Sequence, residues 1–228
     1  MSIENSTCWT IIGSAAAGNF ADRDTFIRRY TPVVRAYLGN RWKNGTCIGD
    51  LDDAVQEVFI EFIKPDGILQ GIDTKCHAGF RPFLYGVVRN VARHFETRRG
   101  RERLRSAPAD VDLGQIADSE ESMSRLFDRT WAQMIMREAA QRQAEQAGEL
   151  GPDAAKRVEL LRLRFQEQLP IRDIAQRWQV DAAKLHHEYA RAREEFEKAL
   201  LEVVAFHHPG SPEEVARECA DLQNYLRN

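Results

Sequence analysis

Apolar residues recur along this chain at intervals of three, four and seven, the spacing of one face of an α-helix, and almost nowhere alternate as they do in a strand. A first short helix is expected around Cys8–Ala17, packing Trp9, Ile11 and Ile12. A second runs from about Asp22 to Trp42 on the stripe Phe26, Tyr30, Val33, Val34, Tyr37 and Leu38. Pro32 lies inside that stripe and is expected to kink or divide it, because proline removes a helix hydrogen bond and crowds the preceding turn. The third helix starts near Asp50, a candidate N-cap. Asp52 and Asp53 follow in its first turn, where the helix dipole favours acids. Its apolar face is Ala54, Val55, Val58, Phe59, Phe62 and Ile63, and Pro65-Asp66-Gly67 ends it.

A loop of some fifteen residues then leads to Gly79, long enough to suggest function. The fourth helix, Phe80 to about Arg105, carries Phe83, Leu84, Val87, Val88, Val91, Ala92 and Phe95 at helical spacing. From Ser106 to about Ser124 the pattern fades into an acidic stretch that reads as an interdomain linker. Helices resume from about Arg125 to Gln146, Asp153 to Glu167 and Pro170 to Trp178. After a break at Gln179-Val180 another runs from Asp181 to Val204. Pro209-Gly210-Ser211-Pro212 is a turn, with Ser211 and Pro212 placed as N-cap and first residue of a last helix. Its apolar face, Val215, Cys219, Leu222 and Leu226, is expected to pack on the second domain or meet a partner.

The expected fold is therefore all-α, with two small helical domains. The first spans residues 1–105, the linker 106–124, the second domain 125–205 and a C-terminal helical extension 206–228. Four cysteines at irregular gaps, Cys8, Cys47, Cys76 and Cys219, form no CxxC and suit a reducing cytoplasm. Neither a basic leader with an apolar run nor a stretch of 18 apolar residues occurs, so a cytoplasmic chain away from membranes is expected.

Charge sharpens this picture. The formal net charge is only −3, but the signs are segregated. The fourth helix carries Arg81, Arg89, Arg93, Arg98, Arg99, Arg101, Arg103 and Arg105 against Glu96 and Glu102 alone. The following stretch to Asp128 has six acids against Arg125. An arginine stripe attracts phosphates by releasing their condensed counterions, and arginine also forks onto phosphate oxygens and stacks on bases. Phe80, Phe83, Tyr85 and Phe95 lie along the same helix as candidates for stacking on unpaired bases. Phe95 reads better as core, and Phe83 is open to either role.

Catalytic chemistry finds no foothold. HExxH, GxSxG, GxxxxGK[ST] and GxGxxG are all missing. The adjacent pairs His186-His187 and His207-His208 point about 100° apart on a helix, and Cys76-His77 has no second ligand pair nearby, so no metal or other cofactor is expected. A second signal is the short helix, tight break and longer helix between Pro170 and Val204, an arrangement of helix-turn-helix type.

These residues carry a family resemblance. Asp52-Asp53-Ala54-Val55-Gln56-Glu57-Val58-Phe59 resembles the "EDLVQEVF" signature in region 2 of the extracytoplasmic-function sigma factors of the sigma-70 family. Phe80 to Ala92, FRPFLYGVVRNVA, resembles that family's "FRxWLxxIARNxA" helix. Leu161–Phe165, Ile174-Ala175 and Arg191-Ala192-Arg193 resemble parts of region 4. Phe83 stands where the family usually has tryptophan, His94 where it has aspartate, and Gln179 where a helix-turn-helix has its turn glycine.

The resemblance implies a sigma factor and not an enzyme: a protein that binds core RNA polymerase and directs promoter recognition and melting. Asp52, Asp53, Gln56, Glu57 and Phe59 would dock the β′ clamp helices. Phe83, Arg89, Asn90, Arg93, Arg98 and Arg99 would bind the −10 element. Lys184, His186, His187 and Arg191 would read the −35 element from a domain seated on the β flap. An anti-sigma factor or other regulator is a possible further partner. The region from Asp181 to Glu202 nevertheless has four basic residues against six acids. That balance motivates an alternative: a sigma-like adaptor that binds polymerase or another complex and reads the −35 DNA weakly.

Overall fold

The chain was analysed as a computed structural model, and the structure describes residues 7–64, 68, 79–106 and 120–227. The expected loop before Gly79, with Cys76 and His77, and nearly all of the expected acidic linker lie outside the described residues. The described residues are all-helical, without a strand. The helices are α1 (Cys8–Ala16), α2 (Phe20–Arg41), α3 (Leu51–Ile63), α4 (Phe80–Ser106) and α5 (Glu120–Leu150). They continue with α6 (Pro152–Phe165), α7 (Ile171–Trp178), α8 (Ala182–His207) and α9 (Pro212–Arg227), and a 3-10 turn, Thr46–Asp50, precedes α3. No described helix is long and apolar enough to cross a membrane.

Two compact units form, one of residues up to Met134 together with those from Phe206 onward, the other Ile135–Ala205. The division runs through α5 and α8 and not through the acidic stretch between α4 and α5.

In the first unit, rings from α2, α3 and α4 interlock. Phe26 meets Phe59, Phe62 and Phe80 at centroid distances of 5.7, 5.3 and 5.9 Å, and Trp9 of α1 closes on Phe80 at 5.5 Å. Such tilted and edge-to-face pairs add about 0.5–1.5 kcal/mol each beyond the area they bury. α2 runs through Pro32 as one helix, so of the expected kink or division the division does not occur. Its stripe from Phe26 to Leu38 is wholly buried on both sides of the proline, and that packing holds the two halves as one helix.

The start of α5 belongs to this core. Phe127 packs against Tyr37 and Tyr85, and Trp131 stacks on Tyr30 with 5° between the ring planes. The chain after α8 returns to the same unit. His207 is buried and its Nδ1 lies 3.0 Å from the Tyr30 hydroxyl. α9 starts on the expected N-cap, Ser211, whose hydroxyl accepts from the Glu214 N–H, and the Glu214 side chain accepts in turn from the Ser211 N–H. Its apolar face buries Val215 and Leu222, and Glu218 and Tyr225 reach Arg81 at the start of α4. α9 therefore joins the first unit, not the second as expected. Periodicity reveals that a face is apolar, but not which core receives it.

The second unit is built on Leu160, Leu163, Ile171, Ile174, Ala175 and Leu185, with Leu169, Trp178, Ala182 and Tyr189 around them. The buried Gln143 side chain on α5 donates to the Ala192 carbonyl of α8 at 3.0 Å. α7 ends at Gln179, which adopts the left-handed conformation (φ 53°, ψ 44°). There the Gln179 and Val180 N–H groups return to the Gln176 and Ala175 carbonyls, a Schellman closure that satisfies the helix end. Asp181 then caps α8 by accepting from the Lys184 N–H at 2.9 Å.

Left-handed backbone costs a side-chain-bearing residue about 1 kcal/mol, which glycine does not incur. Replacing Gln179→Gly is therefore expected to stabilise the second unit by about 0.5–1 kcal/mol, and Gln179→Val to destabilise it. Urea unfolding followed by circular dichroism and Trp178 fluorescence measures both.

Candidate nucleic-acid interface

α4 has two faces because its apolar residues recur at helical spacing while its arginines fall between them. Leu84, Val87, Val88, Val91, Ala92 and Phe95 are buried. Asn90, Arg93, His94, Arg98, Arg101, Arg103 and Arg105 are exposed, and Arg89 is half-buried. Phe83 is half-buried, with its ring 5.7–6.1 Å from those of Phe62, Trp9 and Phe80. It is thus both a core contact and partly open to solvent. Phe83 and Asn90 lie seven residues apart on one side of the helix, with Arg89 and Arg93 four apart beside them.

The arginines are not equivalent. Arg99 forks onto Asp50, with Nε 2.6 Å from Oδ2 and a terminal nitrogen 2.5 Å from Oδ1. Asp50 is a buried carboxylate, and a second guanidinium, that of Arg98, lies 3.8 Å away. The hydrogen bonds from Arg99 hold the Asp50 carboxyl below its ordinary range, against the opposing effect of burial. Asp50 makes no side-chain cap to α3, contrary to the expected N-cap, because its oxygens are committed to α4.

Arg99, placed by the sequence among the −10 residues, accordingly serves as a tie between α4 and the turn before α3. Arg81 is held in the same way, paired with Asp128 at 2.5 Å and lying over the Tyr225 ring at 4.7 Å. Glu96 receives Arg41 at 2.6 Å and the Trp42 indole N–H at 2.8 Å. The solvent face of α4 carries Asn90, Arg93 and the exposed arginines toward its C-terminal end.

On α3, Asp52, Asp53 and Gln56 are exposed, Glu57 is half-buried, and the exposed Ile60 continues the row. Asp52 accepts from Arg35 at 2.6 Å. Phe59 departs from this set. It is 4% exposed and packed on Phe26, so it supports the surface from inside and is no contact residue itself.

In the second unit Lys184, His186, His187 and Arg191 are all exposed on the first turns of α8. Two acids of that helix, the partly exposed Glu188 and the more buried Glu195, reach Arg157 of α6, whose side chain is 8% exposed. Arg157 Nε lies 2.9 and 3.0 Å from the two Glu195 oxygens, and Nη1 lies 3.2 Å from Glu188 Oε2. Further along, Glu202 accepts from Arg142 at 2.8 Å. Sequence reasoning missed Arg157. Its signal was a charged residue on the buried stripe of α6, three residues from both Ala154 and Leu160.

Among the described residues no group of three His, Cys, Asp or Glu side chains is placed to hold a metal. Burial pushes the Cys8 thiol up to about 12, so it stays protonated and inert at neutral pH. No protein-family model matches the chain, and no curated protein matches it either.

A carboxyl with a lowered folded-state pKa stabilises the fold above its unfolded pKa, and that contribution fades as pH falls through the folded value. Asp50→Asn is expected to lower the urea midpoint of the first unit at pH 7. The gap from the unsubstituted chain should narrow as pH falls below the ordinary carboxylate range and through the lowered folded value. A gap independent of pH would show that the Asp50 charge is not what stabilises this junction.

Proposed function

We propose that this chain is a sigma factor of the extracytoplasmic-function type, which binds core RNA polymerase and directs promoter recognition and melting. One observation carries the reading. A single helix, α4, seals an aromatic core with one face and presents Asn90, Arg93, Arg98, Arg101, Arg103 and Arg105 to solvent with the other, next to the partly open ring of Phe83. Arginines and an asparagine beside an aromatic edge suit a single strand, whose phosphates take the charge and whose unstacked bases take the ring. The −10 element would be melted and held there.

Asp52, Asp53, Gln56 and Glu57 form an acidic start to α3 in the same compact unit and would meet the β′ clamp helices, with Ile60 as an apolar contact. The second unit would sit on the β flap and place the first turns of α8 in the major groove of the −35 element, since only the N-terminal turns of a recognition helix enter the groove. This activity belongs in the cytoplasm and uses no cofactor of its own. The alternative of a sigma-like adaptor separates from it at the −35 element.

The test is transcription by core polymerase reconstituted with the purified chain on fragmented genomic DNA, with the transcript starts sequenced. Starts that share upstream elements are expected; none above the core enzyme alone would sink the proposal. Initiation indifferent to a scrambled −35 element would favour the adaptor. Losing one base-stacking contact is worth about 1–3 kcal/mol, so Phe83→Ala should reduce open complex by about tenfold and Phe83→Trp should preserve it. Permanganate reactivity of unpaired thymines reads this directly, with circular dichroism confirming that both variants fold.

A further inference from the structure

By formal count α8 is the wrong charge for DNA: Lys184, Arg191, Arg193 and Lys198 are outnumbered by acids up to Glu202. The structure alters which of those charges a ligand meets. Lys184, Glu188, Arg191 and Glu195 follow one another at spacings of four, three and four, a single row along one edge of the helix. Left to themselves, Glu188 and Glu195 are each four residues from a basic neighbour, Lys184 or Arg191, and are positioned to neutralise it. Arg157 intervenes. Its guanidinium forks onto Glu195 at 2.7–3.0 Å and reaches Glu188 at 3.2 Å, while the other Glu188 oxygen keeps only a 3.6 Å approach to Arg191. Arg157 is almost wholly buried, whereas Lys184 and Arg191 stay exposed.

We propose that Arg157 is a positioning residue that sets the charge of the outer edge of α8: by drawing Glu188 and Glu195 inward, it leaves Lys184 and Arg191 to the phosphates of duplex DNA. This rests on the reading of the second unit as the duplex-binding one. Arginine is suited to the role because its planar fork serves two carboxylates at once, which the single ammonium of lysine does not.

The probe is a labelled mixed-sequence duplex titrated against the full chain by fluorescence anisotropy over a range of salt. Arg157→Met is expected to weaken binding by roughly three- to tenfold at low salt and to flatten the logarithmic salt slope by about 1–2. Arg157→Lys, the milder change, is expected to lose part of that affinity and decides the matter if the methionine variant does not fold. Adding Glu188→Gln and Glu195→Gln to Arg157→Met should restore binding, because the released acids and not a damaged fold cause the loss. In a Lys184→Ala, Arg191→Ala background Arg157→Met should cost nothing more.

Folded Arg157 variants that bind as tightly as the unsubstituted chain would overturn the inference, as would a loss that the glutamine changes do not repair. If Lys184→Ala with Arg191→Ala leaves duplex binding untouched, duplex binding by the second unit itself is wrong and this role for Arg157 goes with it.

Discussion

Eight arginines on one helix repel one another, and the first unit is arranged around that repulsion. The helix cannot move away, because Leu84, Val88 and Ala92 are fully buried in the aromatic core. Selected charges are instead neutralised where α4 touches its neighbours. Arg99 meets Asp50 and the Glu102 of its own helix, Arg81 meets Asp128 and Glu218, and the other α4 acid, Glu96, receives Arg41 and Trp42. A buried carboxylate such as Asp50 persists as an anion only because two guanidiniums surround it. Arg93, Arg101, Arg103 and Arg105 lie on the exposed side of the helix. The same constraint explains why Phe83 is only half-buried: it sits where the sealed face of α4 turns into the charged one.

The second unit solves the opposite problem. Its helix α8 carries more acids than bases up to Glu202, and buried or half-buried arginines on neighbouring helices take up three of those acids. Arg157 takes Glu188 and Glu195, and Arg142 takes Glu202. In both units the formal count of charges misleads, because it does not distinguish charges that face a neighbouring helix from charges that face solvent. The turn that orients α8 is closed by Gln179 in a left-handed conformation, so backbone hydrogen bonding at Ala175 and Gln176 compensates for the missing glycine.

Much of the fold was legible because it depends on periodicity. The two faces of α4 and the Ser211 N-cap were readable from spacing and residue type. Long-range partnership was not. Nothing in the spacing of Val215 and Leu222 says that α9 belongs with the first unit, nor that Phe127 and Trp131, beyond the acidic stretch, complete the same core. Asp50 looked like a cap because aspartate before a helix usually is one; its true partner is 49 residues away. Phe59 looked like part of a docking motif, and its burial appears only once Phe26 is set against it. Arg157 was hidden for the same reason, since its two carboxylates lie 31 and 38 residues further along the chain.

The proposed nucleic-acid surface on the solvent face of α4 is open to titration of a labelled single-stranded oligonucleotide with the full chain, with and without core polymerase. The comparison is a variant carrying Arg101→Glu and Arg103→Glu, two exposed positions on that face. If that face binds the strand, the variant loses at least about tenfold in affinity, more at low salt, with its helix content unchanged. Equal affinity of the folded variant and the unsubstituted chain would contradict it.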